Sequence, residues 1–436
     1  MAQLELHDIQ SGVLRPRPTP FAATYWLLCI GDRVAGKAVM RRLADAVTSA
    51  AEPDSPERDT WVSVSLTYRG LEALGVPQAS LDSFSTPFRE GMAARAAALG
   101  DEGESAPEKW EKPLGSPDIH VVVTGIAPDE ARLRAVLARA REALREYPGV
   151  REVWHQDCYV LPGEREPFGY RDGISHPAIE GSGIPGSNPY ETPLKAGDFV
   201  LGYPGELDAP VPQPDVLGRN GTYVAFRKLH QRVAAFRRYL RDNSKNREEE
   251  ELLAAKMMGR WRSGAPLALA PAADDPALGE DRDRNNAFLY RKDDPIGYVT
   301  PLGSHARRCN PRDAEVAGVP RIHRMLRRGT AYGPPLPEGV LDDDGVDRGI
   351  VFAFIGADLA RQFEFVQKEW VNKSDFFGGG DERDPVTGTG LGDYSIPRRP
   401  IKRTLKSLPR FVVTRGGEYA FMPSLSALRW LGDLPP

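Results

Sequence analysis

The chain has 436 residues, 41% of them hydrophobic and 27% charged, with a formal net charge of −4. That balance leaves ample material for a large core and does not suggest a strongly basic nucleic-acid surface, although it leaves room for a local patch. Three widely spaced cysteines, Cys29, Cys158 and Cys309, form neither a disulfide framework nor a close metal pair.

The opening MAQLELHDIQSGVL has no basic stretch followed by an apolar core, so neither a secretory nor a twin-arginine signal is read there. No apolar run is long enough for a bilayer. A cytoplasmic protein without a membrane partner is the expectation.

Along the chain, Val62, Val64, Leu66 and Tyr68 alternate, as in a half-buried strand. HVVVT at 120–124 reads as a second strand. Leu133, Val136, Leu137, Ala140 and Leu144 then recur at helical spacing and give one apolar stripe. The proline- and acid-rich stretch at 204–215 breaks both periodicities and marks a boundary, dividing the chain into 1–210 and 211–436.

The second part repeats the order. A strand is expected at 222–226, followed by a helical face of Leu229, Val233, Phe236 and Leu240. IVFAFIG at 350–356 reads as a buried strand, with ADLARQFEFVQKEWV as an amphipathic helix behind it. FVVTRGGEYAFMP reads as a hairpin turning at Gly416-Gly417. PAADDPALGEDRDRNN and GGGDERDPVTGTG (378–390) read as surface loops. The second carries enough carboxylates for a cation, although a flexible loop is the stronger reading. Strands alternating with helices favour an α+β or α/β fold with helices covering sheets.

Three segments carry candidate chemistry. In GYRDG, Gly169 and Gly173 flank Asp172, which can exchange a proton with a nearby ligand or merely cap a turn. In GSHARRCNPRD, His305 can bind iron through one ring nitrogen, and Arg307, Arg308 and Arg312 can meet anionic groups. Cys309 reads as a structural thiol. In MLRRGTAYG, Arg327 or Arg328 can orient a ligand and stabilise developing negative charge. Each segment alone is weak.

Together and in this order, they resemble the dye-decolourising haem peroxidase family. The likeness extends through HDIQSGVL, VAFRKLHQRVAAF, IVFAFIGADLARQFEFVQKEW and FVVTRGGEYAFMP. The resemblance implies two ferredoxin-like halves, each an antiparallel sheet covered by helices, enclosing haem b. It implies Asp172 as the distal aspartate, His305 as the iron ligand and Arg327 as the distal arginine, with Arg328 beside it. Arg307 is the expected contact to a haem propionate, and IVFAF the source of apolar groups on the distal face. Glu364, Gln362 and Gln367 compete as the group supporting His305.

The implied partners are hydrogen peroxide and small organic electron donors. Apolar helical faces leave a homo-oligomer open. Two other readings of the residues stand beside this one: a haem-dependent oxygen-transfer enzyme, and a haem-binding or delivery protein without turnover. The seven tryptophans and fourteen tyrosines nominate no radical site by their number.

Overall fold

The computed structural model describes residues 3–51, 59–209, 211–314, 318–376 and 380–435. Its main sheet is built from β1 (Ala22–Ile30), β2 (Trp61–Leu66), β3 (Val121–Ala127), β4 (Val150–Tyr159), β5 (Thr222–Gln231), β6 (Leu326–Arg327), β7 (Thr330–Tyr332) and β8 (Gly349–Gly356). β9 (Tyr394–Ile396) and β10 (Arg403–Leu405) pair apart, and β11 (Val412–Met422) completes the main sheet.

The strand order is β4-β1-β3-β2-β11-β5-β8-β6, with β7 also paired to β8. Its pairings are antiparallel. The first four positions use strands that end by Tyr159, and the remainder use strands from Thr222 onward. Within each set, the outer strands by sequence are placed fourth-first-third-second, which is the ferredoxin-like order. One pairing, Phe421 with Leu66, joins the two sets into a continuous sheet.

The expected boundary at residue 210 falls outside the described residues. The final helix, Leu425–Gly432, returns to the first half. Its Leu428 and Leu431 share a core with Val39, Met40 and Leu43 of the helix Arg33–Ala46, and Asp433 pairs with Arg41.

Several local expectations need correction. β2 is buried along its whole length rather than half-buried, because it sits inside the sheet between β3 and β11. It stops at Leu66, where the Thr67 side chain caps a helix beginning at Tyr68. The stripe after β3 is two helices, Glu130–Val136 and Ala138–Glu146, parted at Leu137. Leu229 belongs to β5, and the next helix begins at Val233.

The expected hairpin is one strand. β11 runs through Gly416-Gly417 with a register shift there. A Cβ on Gly416 would lie 2.3 Å from Leu114, and one on Gly417 would lie 2.4 Å from Met92. The two glycines therefore permit close packing and a bulge, not a turn. The segment after β8 is π-helical over Leu359–Glu364 and Val366–Val371. Such winding is rare and concentrates near functional sites. Among the described residues, no helix is long and apolar enough to cross a membrane.

Candidate active site

Successive side chains of a strand point to opposite faces. On one face of the second half of the sheet, Arg227, Leu229 and Gln231 of β5, Ile350 and Phe352 of β8, and Val412 and Thr414 of β11 look into one cavity of about 330 Å³. Ile350 and Phe352 are the inward members of the IVFAF strand. Phe363, Val366, Gln367 and Val371 close the cavity from the π-helical segment. Asp172, His305, Arg327 and Arg328, far apart in sequence, all line it.

Asp172 is carried by a loop that turns through left-handed Gly169 (φ 97°) and Gly173 (φ 75°), a conformation that glycine adopts without strain. Its Oδ2 accepts from Arg17 Nη2 at 3.2 Å. A Cβ on Gly329 would lie 3.3 Å from the same oxygen, so the Arg327-Arg328-Gly329 segment passes directly beside the carboxylate. Arg327 is exposed at the cavity, with Nη2 3.4 Å from the Ser175 carbonyl. Arg328 is buried against the Val13 and Arg327 carbonyls. Burial, with Arg17 nearby, lowers its pKa to about 10.

His176 also lines this end of the cavity. Burial pushes its imidazole down to about 3, with Arg328 and Arg327 adding to the effect. It is therefore a neutral group at ordinary pH. Neither Arg17 nor His176 was singled out from the sequence, because a lone basic residue in a loop carries no pattern.

His305 opens the short helix His305–Cys309, and its Nδ1 donates to Asp384 Oδ2 at 2.9 Å. Asp384 has a fully buried side chain. Its other oxygen accepts from the backbone N–H groups of Val386 and Thr387. Burial opposes its charge, but His305 and these donors hold its pKa below the usual carboxylate range. Burial likewise opposes charge on His305, yet Asp384 and Cys309 raise its pKa well above the ordinary value. With Nδ1 engaged, Nε2 is the ring nitrogen left to hold a metal.

Asp384 replaces the expected supports. Glu364 is taken by Arg95 and Tyr419, and Gln362 by the Asp198 and Arg324 carbonyls. Gln367 faces the cavity. The 378–390 loop is thus a structural wall rather than a flexible excursion, although Gly378 and Gly379 lie outside the described residues. Arg308 secures it by donating to the carbonyls of Trp370 and Glu382. A sequence signal did exist: Asp followed by Pro-x-Thr suits a carboxylate that caps the next backbone turn.

Arg307 does not reach the cavity lining. Its guanidinium donates to the Asp294 and Thr300 carbonyls, contacts the Asp294 carboxylate at 3.4 Å and stacks over Tyr290. Helical geometry turns it away from the face that carries His305 and Cys309. Arg260, Arg312, Arg324 and Arg327 line the cavity instead. Asn286 Oδ1 accepts from both Arg260 (2.5 Å) and Arg312 (2.9 Å).

Burial lowers the pKa of Arg260 to about 9, with Arg312 and Arg327 adding repulsion, and that of Arg312 to about 10, with Arg324 opposing it. Arg324 is lowered by burial too, although Glu191 offsets part of that loss. Mutually repelling buried cations with an apolar cavity beside them suit a flat ligand carrying anionic groups at one edge. Haem has that form, and His305 Nε2 is a nitrogen that could hold its iron. Met258, Met325 and Val386 supply further apolar wall.

No family model matches the chain. It is 32% identical over 414 residues to the dye-decolorizing peroxidase of Mycena epipterygia, covering 85% of this chain and 75% of that protein. It is 30% identical over 405 residues to the multifunctional dye peroxidase of an Amycolatopsis species, covering 85% and 82%. A solved dye-decolorizing peroxidase in complex with 2,6-dimethoxyphenol superimposes with a TM-score of 0.86 at 27% identity, over 98% of this chain and 100% of that one.

Proposed function

Because this chain belongs to the dye-decolourising peroxidase family, whose haem-dependent members spend hydrogen peroxide on organic electron donors, we propose that His305 holds the haem iron while Asp172 and Arg327 handle the peroxide. The enzyme is a peroxidase with haem b as cofactor. Bound haem supplies the iron and the electrons that O–O cleavage consumes. The observation that carries the residue assignment is the convergence of Asp172, Arg327 and His305 on one cavity, with His305 backed by a buried carboxylate.

Each residue has a distinct task. Asp384 fixes the imidazole so that Nε2 faces the cavity and stays a strong donor. Arg327 orients peroxide and meets negative charge on its outer oxygen. Asp172 accepts a proton from one peroxide oxygen and returns it to the other. Arg17 holds the Asp172 carboxylate in place. Arg260 and Arg312 meet the haem carboxylates in place of Arg307, and Arg328 braces the distal wall. Phenols are a donor class, in keeping with the ligand named for the superimposed relative.

We take 1–210 and 211–436 as the two halves, supported by the repeated strand order on either side of that region. A cytoplasmic site is supported by three free cysteines, because thiols persist in reducing compartments.

Stopped-flow mixing of the haem-loaded enzyme with peroxide tests the assignment. Asp172→Asn and Arg327→Leu should each slow the peroxide reaction by about 10²–10⁴-fold while the haem stays bound. Full-speed reaction in both variants would refute their roles.

A further inference from the structure

The proximal wall brings a thiol with no part in the proposed reaction, Cys309, up to His305 and Asp384. Cys309 lies one helical turn after His305, with Sγ 3.7 Å from His305 Nδ1. Asp384 Oδ2 is 2.9 Å from the same nitrogen. The three donor atoms all fall within 4.8 Å of one another. His305 and Cys309 both line the cavity.

We propose that the haem-free protein binds a zinc-like divalent cation through His305 Nδ1, Cys309 Sγ and Asp384 Oδ2, and that this ion opposes haem uptake. One nitrogen, one thiolate and one carboxylate are the donor types that zinc takes. Zinc sits about 2.0–2.2 Å from N and O and about 2.3 Å from S, so tetrahedral neighbours lie about 3.3–3.6 Å apart. The Nδ1–Sγ separation already approaches that spacing, and the Nδ1–Oδ2 pair must open by only a few tenths of an ångström. Asp384 Oδ1 keeps its two backbone donors, so Oδ2 can turn to the metal without freeing the loop.

The opposition to haem follows from the imidazole's two nitrogens. The cation takes Nδ1 of the neutral ring, so the ring proton moves from Nδ1 to Nε2, the atom proposed to hold haem iron, while the thiol proton leaves to solvent. Iron can bind there only if that proton also departs, which would turn the ring into an imidazolate. With Nδ1–H donating to Asp384, by contrast, Nε2 is already a free lone pair. This antagonism rests on the assignment of His305 as iron ligand, whereas the cation site rests on geometry alone.

Cobalt(II) is the probe, because thiolate coordination gives it a charge-transfer absorption. The full-length haem-free protein should bind one cobalt ion with that band, and zinc should displace it. Cys309→Ser and Cys309→Ala should both lose the band and weaken binding by at least about tenfold, with circular dichroism reporting that each is folded. Zinc should slow the growth of the haem Soret band in the wild type and not in either variant.

Absence of the thiolate band in the wild type, or its survival without Cys309, would overturn the site. Zinc-independent haem uptake in a protein that shows the band would overturn the antagonism. A His305→Gln variant that still acquires a normal haem spectrum would instead remove the iron-ligand assignment and leave the cobalt result standing.

Discussion

Asp384 Oδ2 lies 2.9 Å from His305 Nδ1, although 79 residues separate them in the chain. The carboxylate is buried, negatively charged and fixed by backbone donors, so it pulls on the imidazole proton continuously. Electron density at Nε2 depends on that pull.

Asp384→Asn keeps an oxygen acceptor and removes the charge. The haem reduction potential should move to more positive values, and haem affinity or the peroxide rate should fall about 10–100-fold. A spectroelectrochemical titration measures the first. An unchanged potential would remove Asp384 from this role.

Arg307 and Arg312 test the proposed division between a structural arginine and one that meets the haem carboxylates. Arg307→Ala strips a buried partner from Asp294, and the protein should lose about 3 kcal/mol or more of stability while its folded fraction still takes haem. Arg312→Ala should have the opposite profile, with a smaller loss of stability and visibly weaker haem retention. Denaturant melts and Soret titrations on both variants decide the matter. Haem loss confined to Arg307→Ala would restore that residue as the propionate contact.

Glu418 on β11 is a buried carboxyl whose pKa burial raises to about 8, although the Gly115 N–H donates to it at 2.7 Å. Its folded pKa is above its unfolded value near 4.5, so the folded state holds the proton more tightly. The resulting stability is fully present below about pH 4.5 and is lost as pH rises through about 8. Glu418→Gln keeps an acceptor and cannot ionise. Its melting temperature should fall less than that of the wild type between about pH 5 and pH 8.5. Parallel curves would show that Glu418 does not titrate in this way.

Gly416 tests the reading of β11 as a continuous, bulged strand. Gly416→Ala drives a methyl into Leu114 and should cost about 1–3 kcal/mol of stability. Pairing the change with Leu114→Ala should recover part of that loss, which a denaturant double-mutant cycle would reveal. An exposed hairpin turn would tolerate the alanine without a partner.

By itself, the sequence determined what period and order can encode. Alternation located β2, short β-rich runs located β3, β5 and β8, and the helical stripes found the covering helices, because burial imposes periods of 2 and 3.6 or unbroken apolar runs. The ordered GYRDG, GSHARRCNPRD and MLRRG segments carried the family resemblance and the three residues that meet at the cavity. Only the tertiary structure decided which groups serve those residues. Asp384, Arg17 and Asn286 come from loops, where no periodicity records direction, and their partners lie far away in the chain. Arg307 and Arg312 look equivalent as letters. Helical rotation sends one to Asp294, and the chain beyond the helix brings the other to the cavity. Gly416-Gly417 permits either a turn or close packing, and the proximity of Leu114 and Met92 selects packing. A strand's own pattern records that it is buried, but its partners in space determine how deeply and what chemistry its neighbours perform.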